Sequence, residues 1–492
     1  MHPGNIKNLL YPRSVAVAGA SASPDKFGHR VLFNIVHNGF KGRIYPVNPR
    51  ESSVLGLEAF SSVADIPGEV DLAVVTVPPL GVKQVVRDCI QKGVRAVIVI
   101  TSGFSEIGGQ GAVLEAEISE MARRAGLALA GPNCVGLVST HVDLYCHMMP
   151  FYPSRGPVAI VAQSGSVADM IASRLGDHGL GTSHLISAGN EAVLNVGDYL
   201  EYLAGDDRVS VVLAYIEGIR DGRRFLQSAK KVTARKPLIV LKAGNTAAGA
   251  RAALSHTAAL AGDDQIINSL LRQAGALRVE DMEEMVDAAC AFNNQPLPRG
   301  NRVGIIAPGG GWGVMAADAC TQRGLDVVPL DRATLGKLDS FLPPTWSHGN
   351  PVDTVTGVTG HAAEMVQALL ESPAIDGLMV LGVVGGLQSI WKYIEVGSGS
   401  KVITDGLAGG AMEQFDTYYR EMMTLKERFG KPMAVTLILP IKAEIITETA
   451  SRLTRETGTT CYTSFTQAVR AYSALSDYAA YLRKSGLQGG RV

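Results

Sequence analysis

Short, almost continuously apolar runs alternate with stretches of helical length along the 492-residue chain. In the first third the runs are SVAVAG (14–19), RIYPVN (43–48), LAVVTVP (72–78), AVIVITSG (96–103) and LALAGPN (127–133). Between them lie segments such as KFGHRVLFNIVHNGF (26–40) and PLGVKQVVRDCIQKG (79–93). Strands that read as unbroken Val, Ile, Leu and Ala are buried on both faces, and strands alternating with helices pair in parallel. The pattern therefore predicts a doubly wound α/β sheet. It recurs twice. The second copy has PVAIVAQ, SHLISAG, VSVVLAYIEG and KPLIVLKAG; the third has RVGIIAPGG, GLDVVPL, GLMVLGVVGG and KPMAVTLIL. Each copy opens on a strand that runs into a Gly/Ser turn and a helix: SVAVAGAS (14–21), PVAIVAQSGS (157–166) and RVGIIAPGGGWG (302–313). Val15, Val158 and Val303 are equivalent points about one domain length apart. Linkers are expected near 147–157 and 292–302, where Pro, Asn and Gly cluster. The long interval 386–430 before the third KP-strand is expected to hold a helix of its own and is a candidate lid or interface element.

Composition narrows the classes. Lys plus Arg total 45 against 46 Asp plus Glu, with no long run of either sign, so there is no electrostatic footprint for nucleic acid or an anionic membrane. A phosphorylated ligand would have to be held by local geometry. No apolar run reaches the roughly 20 residues that span a bilayer, and MHPGNIKNLLYPRS lacks a signal-peptide core. The six cysteines are scattered without CxxC spacing, which argues against a zinc knuckle or a disulfide framework; no metal-ligand set is read, and a reducing cytoplasm fits best.

The candidate chemistry sits where strands end. The first joint is not GxGxxG, which disfavours a nicotinamide cofactor, yet ligands of a doubly wound sheet still bind beyond the carboxyl ends of its strands. Small or backbone-restricted residues gather there: Gly19-Ala20-Ser21, Asn48-Pro49, Val77-Pro78-Pro79, Thr101-Ser102-Gly103 and Gly131-Pro132-Asn133. They let a long ligand approach the main chain, with Lys26 as a point charge for a phosphate, or they are ordinary turn chemistry. Ser164-Gly165-Ser166 reads as an anion seat at a helix N-terminus or as plain N-capping. Gly310 and Gly311 offer a second glycine-rich helix start, able to converge with the first on one phosphoryl group, and Asn350-Pro351-Val352-Asp353 would cap a helix, face that site or be structural. His256 lies in LSHTAALAG among Ala, Gly, Ser and Thr, side chains too small to pack a core around an imidazole. That suits a moving or ligand-proximal loop, against the alternative of a surface histidine on an Ala-rich helix. A phosphate-accepting histidine wants a carboxylate on its other nitrogen, and Glu217 in LAYIEGI is the best placed, unless it is an exposed turn residue.

Taken together these motifs resemble the α subunit of the ADP-forming (NDP-forming) acyl-CoA synthetases, relatives of succinyl-CoA synthetase. GASASPDKFGHRVLFNIVHNGFKGRIYPVNPR is similar to that family's CoA-binding domain; AQSGSVADM, GNEAVLNVGDYLEYLAGDD, YIEGIRDGRRF and KPLIVLKAG to its second domain; SHTAALAG to its phosphohistidine loop; and PGGGWGVMAADAC with NPVDT to its third. The resemblance implies a Rossmann-like CoA-binding domain over 1–147, a flavodoxin-like domain with the phosphohistidine loop over 155–294, a second flavodoxin-like domain over 300–475 and a tail over 476–492. It implies that His256 carries the phosphoryl group and Glu217 supports it. Ser164, Gly165, Ser166, Gly310 and Gly311 would hold phosphate, and Gly19, Ser21, Lys26, Asn48, Pro78, Gly103 and Asn133 would line the CoA site.

The implied reaction is acyl-CoA + phosphate + ADP = acid + CoA + ATP, for a small carboxylic acid. The chain departs from the family pattern in two ways. Ala258 and Ala259 follow Thr257 where the family usually has Gly, which stiffens the loop. No segment resembles an ATP-grasp domain, so ATP/ADP with Mg is expected on a partner chain, a β subunit, in an oligomer. Two other readings compete: a stand-alone, ATP-independent transferase or phosphorolytic enzyme, and a non-catalytic CoA-binding regulatory protein, which would have no need of a carrier histidine.

Overall fold

The computed structural model describes residues 4–246, 248–249, 251, 264–354, 361–382, 416–437 and 443–487. His256 with its loop, and residues 383–415, lie outside them. The chain forms two compact units, one of Met1–Gly176 with Leu180–Met285, the other of Asp177–Gly179 with Val286–Val492.

The first unit opens with helix α1 (Gly4–Leu10) and a five-stranded parallel sheet of β1 (Ser14–Ala18), β2 (Arg43–Val47), β5 (Leu72–Val75), β6 (Ala96–Val99) and β7 (Ala128–Ala130), in the order β2-β1-β5-β6-β7. A small hairpin, β3 (Ser53–Val54) with β4 (Leu57–Glu58), stands outside it. Helices α2 (Phe27–His37), α3 (Pro79–Lys92) and α4 (Gly109–Arg124) make the crossovers. Side chains of a strand alternate between its two faces. Accordingly Val15 and Val17 enter one buried cluster, with α1 and much of the second sheet, while Ala16 and Ala18 enter another with Val82, Val86 and Phe104. Burial on both faces is why β1 reads as an unbroken apolar run.

The second sheet is built on β10 (Arg155–Ala162), β11 (Thr182–Ser187), β12 (Val211–Ile216), β13 (Leu238–Lys242) and β14 (Leu277–Val279), all parallel. Its connections include α5 (Gly165–Asp177), α6 (Val196–Ala204) and α7 (Gly222–Thr233). The stretch that follows β7 does not stay with the first sheet. β8 (Gly136–Ser139) and β9 (Leu144–His147) form an antiparallel pair, and β8 joins β11 antiparallel, giving the order β14-β13-β12-β10-β11-β8-β9.

The second unit holds a parallel sheet in the order β16-β15-β17-β18-β19, from β15 (Val303–Ala307), β16 (Val352–Asp353), β17 (Gly377–Leu381), β18 (Met433–Thr436) and β19 (Cys461–Tyr462). Numbered within each segment, all three parallel sets run 2-1-3-4-5, one doubly wound plan used three times. Residues 416–429 of the long interval are helical and bury Tyr419 and Met422 in the third core.

One expected strand is displaced. GLDVVPL contributes only an isolated bridge, Arg302 with Asp326, and β16 takes the place beside β15. The cause is the Asn350 side chain, whose Oδ1 accepts from Ile305 N at 3.0 Å while its Nδ2 donates to Val303 O at 2.9 Å and Val328 O at 2.8 Å. An amide side chain thus stands in for ladder bonds between β15 and residues 326–330, which makes the role of Asn350 structural. All six cysteines are buried and free. Among the described residues no helix is long and apolar enough to cross a membrane.

Candidate functional site

In a 2-1-3-4-5 sheet the crossovers leave in opposite directions from the first and third strands, and a crevice opens at their carboxyl ends. In the first sheet that point lies between β1 and β5. Gly19 follows β1 with φ +92, a backbone region favourable to glycine, and an added Cβ would sit 2.8 Å from Thr76 Oγ1. Thr76 Oγ1 in turn donates to Ala18 O at 3.0 Å, tying the two strand ends together. Pro78 stands just ahead of α3, whose first residue is also proline. The residues assigned to CoA therefore end neighbouring strands: Gly19 and Ser21 after β1, Asn48 after β2, Pro78 after β5, Gly103 after β6 and Asn133 after β7.

Their polar groups are already partly committed. Asn48 Nδ2 donates to Ala20 O at 2.7 Å and Oδ1 accepts from Arg50 N at 2.8 Å, so Asn48 shapes the β1 turn. Ser21 O lies 2.9 Å from His29 Nδ1, and Ser21 Oγ accepts from Ser23 N at 3.2 Å. The Gly103 N–H goes to Glu106 Oε1 at 2.5 Å, and at φ +100 an added Cβ there would meet Pro79 Cγ at 3.0 Å. Lys26 caps α2 with its ammonium largely exposed, 3.9 Å from Asp25 Oδ2. Gly28, unassigned from sequence, is the closest approach of all: a Cβ there would lie 1.9 Å from Gly19 O.

The second sheet has its switch point between β10 and β12, and Ser164 and Glu217 follow those two strands. Ser164 precedes α5 and Gly165 begins it, at a helix start whose N–H groups and dipole favour an anion. Ser164 Oγ and Ser166 Oγ are 3.3 Å apart. A Cβ on Gly165 would strike Val135 Cγ1 at 2.3 Å, so the helix start is pressed against the loop that follows β7. Gln163 organises this pocket. Its Oε1 accepts from Glu217 N at 2.5 Å and Gly218 N at 3.1 Å; its Nε2 donates to Gly218 O at 2.9 Å and Glu191 Oε2 at 2.9 Å. Glu217 is buried, not an exposed turn carboxylate. Lys242, ending β13 beside Ile216, is also buried; burial pulls its ammonium below the usual lysine range against the opposing charges of Asp264 and Glu217.

Glu191 adopts φ +53, a left-handed conformation that costs an ordinary L-residue about 1–2 kcal/mol. Both its oxygens are engaged, Oε1 by Val196 N at 2.7 Å and Oε2 by Gln163. Burial pushes its carboxyl up from 4.5 to about 6, with those two donors and Arg220 working against the rise. A carboxyl raised in the folded state adds stability below its unfolded pKa and loses it as pH climbs through the folded one. A rise from 4.5 to about 6 corresponds to about 2 kcal/mol. Urea denaturation of wild type and Glu191→Gln at steps from pH 4.5 to 7.5 should show wild type losing about that much relative to the variant, most of it by pH 6.5.

In the second unit, Gly310 and Gly311 begin the helix Gly310–Gln322, as the glycine-rich joint predicts, and a Cβ on Gly310 would meet Asp353 Oδ2 at 3.2 Å. His256 lies outside the described residues, so the structure brings Ser164, Gly165, Ser166 and Glu217 together without it. Sequence reasoning placed Gln163 in the second joint without giving it a role, and assigned none to Glu191, Asn190 or Lys242. All four stand within a few residues of a strand's carboxyl end, and the crevice rule applied position by position would have flagged them.

Strand ends forming a crevice open to a long ligand, and a helix start that favours an anion, define a doubly wound α/β protein built to hold a phosphorylated ligand. Family comparison agrees: a CoA binding domain matches residues 13–140, a succinyl-CoA ligase like flavodoxin domain residues 155–292, and a Ligase-CoA domain residues 303–389. The α subunit of the ADP-forming acetate–CoA ligase II of Pyrococcus furiosus is 44% identical over 375 residues, 76% of this chain and 81% of its own length. An ADP-forming acetate–CoA ligase of Methanocaldococcus jannaschii is 39% identical over 72% of this chain, which spans only 50% of that protein. A solved structure of the dinucleotide-forming acetyl-coenzyme A synthetase 1 of Ca. Korarchaeum cryptofilum, in complex with phosphate and ADP, superimposes with a TM-score of 0.83 at 31% identity, covering 98% of both chains. The chain belongs to the ADP-forming acid–CoA ligase family, within the succinyl-CoA synthetase superfamily.

Proposed function

We propose that this chain carries the CoA-binding and phosphohistidine half of an ADP-forming acid–CoA ligase. In the first step phosphate oxygen attacks the thioester carbonyl, the C–S bond breaks, and acyl phosphate and CoA form. In the second, His256 takes the phosphoryl group and the carboxylate leaves. In the third, the phosphoryl group passes to ADP held by an ATP-grasp domain on a partner chain, regenerating neutral His256. CoA lies across Gly19, Ser21, Lys26, Asn48, Pro78, Gly103 and Asn133. Phosphate sits at Ser164–Gly165–Ser166, with Gly310–Gly311 as a second seat, and Glu217 orients the imidazole and stabilises its cation.

The observation that carries this reading is the pocket of the second sheet. There a helix start able to bind an anion and a buried carboxylate follow the two strands flanking the switch point, and one glutamine ties their loops together. Such a site splits a difficult transfer into two easier ones. The test is intact mass at neutral pH after incubation with inorganic phosphate and a panel of short, branched and aromatic acyl-CoAs. One added acid-labile phosphoryl group, with one CoA released per chain, is expected for the acyl class the enzyme uses. Continuous release of CoA with accumulating acyl phosphate and no labelled protein would favour a phosphorolytic enzyme instead.

A further inference from the structure

Asn190, at the carboxyl end of β11, is buried where the loops of the two sheets of the first unit meet. Its Nδ2 donates to Glu106 Oε2 at 2.6 Å, Glu115 Oε2 at 2.8 Å and Ser105 Oγ at 3.2 Å, and its Oδ1 accepts from Asn133 Nδ2 at 3.1 Å. Its main chain is held as well, N–H to Pro132 O at 2.9 Å and carbonyl from Arg220 at 2.8 Å.

The acceptors it meets belong to the loop after β6, with Ser105 and Glu106, and to helix α4 that follows it, with Glu115. The other oxygen of Glu106 takes the N–H groups of Gly103 and Phe104, at 2.5 and 3.1 Å, and Glu115 Oε2 takes Ser105 N at 3.1 Å. Burial drives the Glu106 carboxyl upward, but Asn190 and those N–H groups outweigh it and hold it below its usual range. Two carboxylates facing one amide are tolerable only while that amide presents N–H. On the other side the next residue, Glu191, grips Gln163, and Gln163 holds the Glu217 turn. Two runs of hydrogen bonds, joined by the Asn190–Glu191 peptide bond, therefore connect the Gly103 loop to the Glu217 turn, with Asn190 as the link between sheets.

We propose that Asn190 is a positioning residue that sets the Gly103 loop against the Ser164–Glu217 pocket, so that the thioester end of a bound acyl-CoA and the phosphate share one fixed frame. The proposal rests on the functional reading above and adds that the frame is set at this amide. Coupling of the two loops matters for the step that uses both, attack of phosphate on acyl-CoA. It matters little for steps that use one, such as binding of CoA or phosphorylation of the protein by a preformed acyl phosphate.

The test compares three quantities in the full chain: the rate of phosphoprotein formation from acetyl-CoA with inorganic phosphate, the same rate from acetyl phosphate, and the Kd for CoA. Asn190→Asp turns the donors into a third carboxylate, and Glu106→Gln sets amide against amide; the pair together restores a donor opposite an acceptor at the Glu106 contact, while Glu115 still faces the new carboxylate. Each single variant is expected to lose 10- to 100-fold on the acetyl-CoA route, with less than a threefold change on the acetyl phosphate route and in Kd, and the double variant to regain at least threefold over Asn190→Asp, short of wild type. Equal losses on both routes, no loss on the acetyl-CoA route, or no rescue in the double variant overturns it. Glu106→Gln probes the same contact should Asn190→Asp fail to fold. Failure of wild type itself to be phosphorylated by either route is a separate result, striking the functional reading rather than this residue.

Discussion

Gly28→Ala is expected to weaken CoA binding by about tenfold or more, because an overpacked contact costs ~1–3 kcal/mol and each 1.4 kcal/mol is a factor of ten. The new methyl would be built 1.9 Å from Gly19 O, 2.7 Å from Gly19 C and 2.9 Å from Thr76 Oγ1. Two of those three atoms are main chain in the very turn that opens the crevice, so no rotamer change relieves the clash. Either α2 backs away from β1 or the Gly19 turn is pushed toward β5, and in both cases the floor of the ligand crevice moves. The glycine does the work that the last glycine of a dinucleotide fingerprint does, close packing of helix on strand, although the spacing here is not GxGxxG.

A control separates this from the general effect of alanine in a first helical turn. Gly81 lies near the start of α3, and a Cβ there would meet only the Val77 side chain, at 3.3 Å. Gly81→Ala should bind CoA as wild type does and melt at the same temperature or slightly higher, since alanine is the better helix former by ~1 kcal/mol. Calorimetric titration with CoA and a thermal scan on both variants settle the matter. Equal CoA affinity in wild type and Gly28→Ala would mean that the crevice at the first switch point is not the CoA site.

What was legible in the sequence is what is local. β1, β6 and β10 announced themselves because both faces are buried, which leaves no polar position to break the run. The helix starts at Ser164 and Gly310 were legible for the same reason: a strand, a turn of small residues and a helix are contiguous in the chain. The misplaced strand GLDVVPL shows the limit. It has the composition of a strand, but its hydrogen bonds are intercepted by an amide from Asn350, whose bond to Val328 spans 22 residues. The wiring of the site was illegible on a larger scale. Asn190 finds Glu106 and Glu115 across 84 and 75 residues, and Gln163 reaches Glu217 across 54. No periodicity encodes such pairs. A polar side chain after a strand signals only that some partner is needed if it is buried, and the fold chooses the partner.

His256→Ala should abolish phosphoprotein formation and cut complete turnover by roughly 10³- to 10⁶-fold, the range expected when a covalent carrier is removed and only binding and electrostatics remain. The loss should be confined to one step. In the proposed function CoA is bound by the strand ends of the first sheet, so its Kd should stay within about threefold of wild type, small beside the 1.4 kcal/mol that a tenfold change represents. Attack of phosphate on the thioester does not pass through the imidazole in this scheme. The variant mixed with acyl-CoA and phosphate should therefore still release CoA and form acyl phosphate, trapped by hydroxylamine as the hydroxamate, while its mass stays unchanged. Wild type under the same conditions should gain one acid-labile phosphoryl group and release the free acid. That contrast separates the three readings of the chain. A carrier histidine predicts thioester cleavage without phosphorylation in the variant; a phosphorolytic enzyme predicts no difference between variant and wild type; a regulatory CoA binder predicts no cleavage in either. Turnover that survives the substitution would remove His256 from the mechanism, and the buried Glu217 and the α5 helix start would then have to act on phosphate without a protein-bound intermediate.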